Sequence, residues 1–162
     1  MLSRCALNLN GLGGGFAPRQ LKRSASSLEN NNMTLPTKAR EAIFHTSGEE
    51  YAWKRADIPD VVEALAEEDY AILGGEAWTV ENGVICPTIP MPSGGSAIFV
   101  WDTEKRALET WKQFVQRAAK ETVSFIDKYN TEDDVPPEKS AFVCYNLTYV
   151  TEKEYLELCE EN

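Results

Sequence analysis

The sequence predicts an α+β domain in which one long helix and several shorter helices pack on a mostly antiparallel sheet. Three observations support this fold class. One broad apolar stripe recurs every three or four residues over about 104–129, as in an amphipathic helix. Residues 70–80 and 141–150 are instead rich in β-branched and aromatic side chains, which favour strands. Strands and helices do not alternate regularly along the chain, which argues against a parallel α/β sheet.

The first 32 of the 162 residues differ in composition from the rest. They are rich in Gly, Ser, Asn and Arg and have no hydrophobic repeat. We therefore predict a disordered basic leader over 1–32 and a single α+β domain over 33–162. A transit-like targeting peptide is the alternative, although the glycine run "GLGGG" would break an amphipathic targeting helix. Met33 could also be a natural start, with the leader arising from an upstream start codon.

The first elements of the domain are short. In "EYAWKR", Tyr51 and Trp53 lie two residues apart, as on one face of a strand. The apolar residues that follow have helical spacing and predict a short amphipathic helix over 58–68. Pro59 is tolerated there because it falls in the first turn.

The strand predicted over 70–80 is interrupted by a glycine pair, Gly74 and Gly75, where strands normally carry bulky side chains. Glycine at this point loses packing and costs conformational entropy. The pair therefore indicates a bend, a bulge or the close approach of another backbone. A requirement of helix-on-sheet packing explains it equally well. The segment 84–92 contains three prolines, which restrict it to an edge strand or a loop.

The long helix is predicted over about 104–129, with Thr103 or Asp102 as its N-terminal cap. Charged residues occupy the side opposite the apolar stripe, which is typical of a helix packed on a core. The stripe consists of Ala107, Leu108, Trp111, Phe114, Val115, Ala118, Thr122, Phe125, Ile126 and Tyr129. The acidic, proline-bearing segment "TEDDVPPEK" ends the helix and forms a loop.

Two further elements complete the domain. Residues 141–150 are apolar at most positions on both faces, which suits an interior strand better than an edge strand. A last short helix is predicted over 151–159. Thr151 and Glu154 have the spacing of a capping box, which marks the start of that helix.

The formal net charge of −10 is concentrated in the domain. Residues 1–32 contain four basic residues and one acidic residue, which leaves −13 on the remaining residues. Such a body repels phosphate backbones, so we expect no nucleic-acid partner. It attracts basic proteins and speeds their encounter. Acidity that serves only solubility is the simpler explanation of the charge taken alone.

Few residues suit metal or nucleophilic chemistry. The four cysteines show no close pairing and His45 is the single histidine, so we expect no zinc site and no cofactor. Ser47 near His45 does not define a catalytic triad, because proximity in sequence does not fix that geometry. We expect Cys86 and Cys144 to be small core residues in a reducing cytoplasm. The longest apolar runs have five residues, whereas a membrane span needs about 20.

The stretch "YAILGGEAW" resembles the ILGGD-V-type motif of Immunity protein 40, a small bacterial family tied to polymorphic toxin systems. The segment "EYAWKRADIPDVVEAL", the Trp-bearing helix and the closing "AFVCYNLTYVTEKEYLEL" are also similar in order and character. The resemblance covers roughly residues 42–158 and none of the leader. Glu76 stands where the motif carries aspartate, a change that lengthens the reach of the carboxylate. The resemblance implies a non-catalytic cytoplasmic protein that binds a cognate toxin and neutralises it.

A toxin that acts on nucleic acid would be basic, and an anionic immunity protein could cover its substrate groove. The predicted contacts are therefore the acids near the motif and in the acidic loop, namely Glu76, Glu81, Asp133 and Asp134. Trp78 is a candidate anchor because Trp is frequent at hot spots of protein interfaces. Partial burial of Trp78 against the sheet is the alternative.

Two other functions stay open at this point. A small α+β enzyme would need a concave pocket in which two carboxylates face one another, and the 26 acids supply many candidates. An organelle-targeted adaptor protein would use residues 1–32 as a cleaved address. The hypothesis of a toxin-neutralising immunity protein predicts a protein toxin as partner, with no nucleic acid, no membrane and no cofactor.

Overall fold

The computed structural model describes residues 35–128 and 135–160, so the predicted leader over 1–32 lies outside the described residues. Within them the chain forms five α-helices and eight strands. The helices are α1 (Thr37–Glu41), α2 (Ile58–Glu67), α3 (Trp111–Lys128), α4 (Pro137–Ser140) and α5 (Glu152–Glu160). The strands are β1 (Ile43–Ser47), β2 (Glu50–Trp53), β3 (Ala71–Glu81), β4 (Val84–Cys86), β5 (Ile89–Pro90), β6 (Ser96–Ala97), β7 (Val100–Asp102) and β8 (Val143–Val150).

Six of these strands form one antiparallel sheet, which confirms the predicted fold class. The strand order is β1-β2-β8-β3-β4, and β7 pairs with β3 on the same side as β4. Strand β8 lies in the interior between β2 and β3, as its apolar pattern on both faces predicted. Strand β4 lies at the edge and β5 pairs only with β6, in keeping with the proline-rich sequence of this segment.

The main core lies between the sheet and the helix pair α2 and α3. The indole of Trp101 on β7 stacks on the Phe125 ring of α3, with 5.0 Å between the ring centroids. The largest fully buried side chains among the described residues are Trp53, Phe114, Ile58, Leu65, Ile72 and Ile89. Helix α2 confirms the helix predicted over 58–68, with Pro59 in its first turn. Among the described residues, no helix combines the length and apolarity that a membrane crossing requires.

Helix α3 begins at Trp111, seven residues later than the predicted start near 104. The start is fixed by a capping box: the Thr110 amide donates to Gln113 Oε1 at 2.9 Å, and the Gln113 amide donates to Thr110 Oγ1 at 3.3 Å. The Thr110 and Gln113 spacing of this capping box is present in the sequence. However, the apolar residues before Thr110 continue the helical stripe, so the stripe predicts an earlier start.

The segment before α3 is irregular because the strand pairing of β7 continues into it. The Thr103 amide donates to the Leu73 carbonyl at 2.8 Å, so Thr103 is buried beside β3 instead of capping a helix. Leu108 was predicted to lie on the buried stripe, but it is 97% exposed. Extended pairing at one end of the segment and the capping box at the other leave no room for the predicted first two turns.

An ion-pair network holds this irregular segment against α3. The guanidinium of Arg117 binds both carboxylate oxygens of Glu109, at 2.8 Å each, and also donates to the Glu104 carbonyl at 2.6 Å. Glu121, one turn along α3, accepts from Arg117 at 2.7 Å. The hydrogen bonds from Arg117 lower the pKa of Glu109 from 4.5 to about 2.

The closing helix α5 follows the sequence prediction closely. The Thr151 amide donates to Glu154 Oε2 at 2.9 Å, and the Glu154 amide donates to Thr151 Oγ1 at 3.3 Å. This reciprocal pair is the predicted capping box. Helix α5 packs near the start of α3, where the ring centroids of Tyr155 and Trp111 are 5.6 Å apart.

Candidate functional site

The glycine pair of the ILGGE motif is where β7 approaches β3. The register between β3 and β8 shifts between Ile72 and Gly74, so a bulge precedes the pair. Gly74 has a φ of +148°, which residues with a side chain rarely adopt. A Cβ atom added to Gly74 would lie 2.2 Å from the backbone oxygen of Trp101. The glycines of the motif therefore allow both the bulge in β3 and the close approach of the β7 backbone. Both features were among those that the sequence indicated.

Gly75 makes room for a side chain as well as for a backbone. A Cβ atom at Gly75 would lie 2.3 Å from the Asn146 backbone oxygen and 2.6 Å from Cζ2 of Trp101. Because Trp101 also stacks on Phe125, its indole fills the space between the glycine and α3. The glycine pair thus has a structural role, since it makes room for Trp101 between the sheet and the layer formed by α2 and α3 (the helix layer).

Glu76 and Trp78 lie on the same face of β3, opposite the face that Trp101 covers. Glu76 is half-buried and pairs across the sheet with Asn146 and Val100. Trp78 is only 3% exposed and packs in a small apolar cluster with Ala52, Val80 and Cys144. A partner could not contact the Trp78 ring in this conformation, so the ring supports the strand behind Glu76.

Glu81, another predicted contact, does not join Glu76 in one patch. Glu81 is five residues further along β3, so its side chain projects from the opposite face. Its carboxylate pairs with Lys139 at 2.6 Å, which offsets its charge. Asp133 and Asp134 lie outside the described residues.

Cys86 was predicted to be a core residue, and this prediction is wrong. Strand β4 is an edge strand in which Ile85 is half-buried while Val84 and Cys86 are exposed. A contact of 3.1 Å with Thr88 Oγ1 lowers the pKa of the Cys86 thiol. Cys144 is fully buried, as predicted.

Cys86 should therefore react with iodoacetamide much faster than Cys144 in the native protein, because alkylation needs an accessible thiolate. We expect a rate difference of about 100-fold or more, measured by mass spectrometry of peptides after timed alkylation. In urea the two rates should converge. Equal rates in the native protein would contradict the burial of Cys144.

Among the described residues, no group of three or more His, Cys, Asp or Glu side chains is placed to hold a metal ion. The pKa of Glu109 is lowered, which is opposite to the raised pKa that a general acid needs at neutral pH.

An open groove runs between α2 and α3 on the surface of the helix layer. The two helices are antiparallel: Trp111 Nε1 donates to the Asp69 carbonyl at 2.9 Å at one end, and Arg55 pairs with Asp127 at 3.4 Å at the other. The groove has a volume of about 720 Å³. Its lining consists of Pro59, Val62, Glu63, Ala66, Glu67, Gln116, Ala119, Lys120, Val123, Ser124 and Asp127.

The groove combines an apolar floor with a charged rim. Its lining contains three carboxylates and one ammonium group, from Lys120. This site is not evident from the sequence: the stretch "EALAEED" has only the acidic composition that is typical of a solvated helix face. Helical periodicity separates the buried side of α2 from its exposed side, but it does not reveal that α3 lies alongside to make a concave surface.

Comparison with protein-family models matches residues 27–144 to Immunity protein 40. The match spans most of the chain, and the chain belongs to this family, as the motif "YAILGGEAW" indicated. The matched region starts inside the predicted leader and ends in β8, so it differs at both ends from the region expected from the motif. Neither the curated proteins nor the solved structures gave a match.

Proposed function

We propose that this protein binds a cognate bacterial toxin domain in the cytoplasm of the producing cell and neutralises it without catalysing a reaction. The observation that carries the proposal is membership of the Immunity protein 40 family. An immunity family suggests toxin neutralisation, and such families are generally non-catalytic.

The partner of this acidic domain is a basic toxin. Residues 33–162 carry a formal charge of −13, which favours the approach of a cationic surface and opposes that of nucleic acid. Glu76, Glu81, Asp133 and Asp134 stay proposed contacts. Because Glu76 and Glu81 project from opposite faces of β3, one flat interface cannot use both of them. Trp78 has no direct contact in this proposal because it is buried.

The test is co-expression with the candidate toxin domain from the reading frame that adjoins this gene. In a bacterial host, that domain alone should stop growth, and the wild-type protein should restore it. An unrelated acidic protein of similar size serves as control. A host that dies equally with and without the wild-type protein would count against the proposal, as would the absence of complex formation between the purified proteins.

Binding of this toxin domain should weaken as salt is added, because attraction between opposite net charges is screened. We expect the association rate constant to fall about tenfold between about 50 mM and about 500 mM NaCl, with a smaller change in the dissociation rate constant. Surface plasmon resonance measures both. An association rate that does not respond to salt would contradict a basic partner.

A further inference from the structure

We infer that the groove between α2 and α3 receives a cationic, amphipathic segment of the toxin, whose Lys or Arg side chains lie along the groove floor. This inference rests on the proposed function and adds the location and chemistry of the contact. It places the contact on the helix layer, whereas Glu76 lies on the opposite face of the sheet.

The floor of the groove suits the aliphatic part of such a segment. Pro59, Val62, Ala66, Ala119 and Val123 provide small or short apolar side chains along the two antiparallel helices. The open groove has a volume of about 720 Å³, which leaves room for several side chains to lie along it. An amphipathic helix that lays its apolar face in a groove is a recurrent mode of peptide recognition.

The rim of the groove suits the cationic ends of those side chains. Glu67 is exposed and makes no ion pair with another described residue. Glu63 lies 3.5 Å from Lys38, and Asp127 lies 3.4 Å from Arg55. Such long, exposed pairs are weak, so an incoming guanidinium or ammonium group can displace them at little cost.

The combination of floor and rim selects Lys and Arg over other occupants. Their aliphatic stems can cover the apolar floor while the charged ends reach Glu63 and Glu67. An acidic or phosphate-bearing partner would meet like charge at the rim. A second copy of this acidic chain would meet the same repulsion. Self-association in the groove is distinguished from toxin binding by the Ala119→Phe variant.

The test compares two double charge reversals with equal changes in net charge. Glu63→Lys with Glu67→Lys alters the rim, whereas Glu157→Lys with Glu160→Lys alters exposed residues of α5 outside the groove. We expect the rim variant to bind the neighbouring toxin domain about 100-fold more weakly than the wild type, and the α5 variant to stay within fivefold of it. Circular dichroism and thermal unfolding check that both variants are folded.

A third variant tests the floor without changing charge. Ala119→Phe fills the groove from the half-buried side of α3 and should weaken binding at least tenfold. Binding by the rim variant within fivefold of the wild type would overturn the inference, as would equal losses in both charge reversals. Dimerisation of the wild type without toxin, abolished by Ala119→Phe, would assign the groove to a second copy. If the wild type itself does not bind the toxin domain, the proposed function fails as well.

Discussion

Replacing Gly75 with alanine is expected to lower the free energy of unfolding by about 3 kcal/mol, a large part of the total for a domain of this size. The new Cβ atom would lie 2.3 Å from a backbone oxygen of β8, which is held on both sides by other strands. The Trp101 indole, at 2.6 Å, cannot move away freely because it stacks on Phe125. Urea denaturation followed by circular dichroism measures the loss.

Gly83→Ala is the matched control for this substitution. Gly83 has a φ of +76° and no atom within 4 Å of an added Cβ, so alanine there meets conformational strain without a steric clash. We expect a cost of about 1 kcal/mol. Gly75→Ala in a Trp101→Leu background should recover part of its loss relative to that background, because one of the two clashes is removed. Equal effects at Gly75 and Gly83 would mean that the indole and β8 do not constrain the motif.

The fold follows from the sequence where local pattern and tertiary packing agree. The pattern of β8, apolar at most positions on both faces, predicted an interior strand because burial on both faces stabilises it. The capping box of Thr151 predicted the start of α5 because its hydrogen bonds are local. The start of α3 was predicted wrongly because the pairing of β7 with β3, which is distant in sequence, overrides the helical pattern of the residues after Thr103.

The hairpin between β3 and β4 carried a signal that the sequence analysis did not use. Asn82 and Gly83 both have positive φ, at +52° and +76°, as the two central residues of a type I′ turn require. An Asn-Gly pair between two strand-like segments predicts this turn directly.

The candidate site was less predictable than the fold, for a physical reason. Charge and motif identify the kind of partner, but contacts depend on which side chains share a surface. Glu76 and Glu81 are close in sequence yet project from opposite faces of β3. Glu67 and Lys120, distant in sequence, line one groove because α2 and α3 are antiparallel neighbours.

Acid should weaken this protein through Glu109. The pKa of this carboxyl is about 2 in the folded protein, against 4.5 without its partners, chiefly because Arg117 donates two hydrogen bonds to the ionised form. A carboxyl whose pKa is lower in the folded protein makes its full contribution to stability when the pH is above its pKa in the unfolded chain. The contribution disappears as the pH falls toward its pKa in the folded protein. With the Glu109 side chain 10% exposed, we expect a contribution of about 2 kcal/mol at pH 7.

Glu109→Gln isolates this contribution, because the amide does not titrate. The wild type should be more stable than this variant by about 2 kcal/mol at pH 7 and above pH 5, and the difference should shrink steadily between pH 4.5 and pH 2. Urea denaturation of both proteins across this range measures it. Glu121→Gln is the control: Glu121 contacts the same guanidinium but is 44% exposed, so its loss should cost about 0.5 kcal/mol or less. A Glu109→Gln difference that is as large at pH 3 as at pH 7 would show that it reflects packing, not the ionised pair with Arg117.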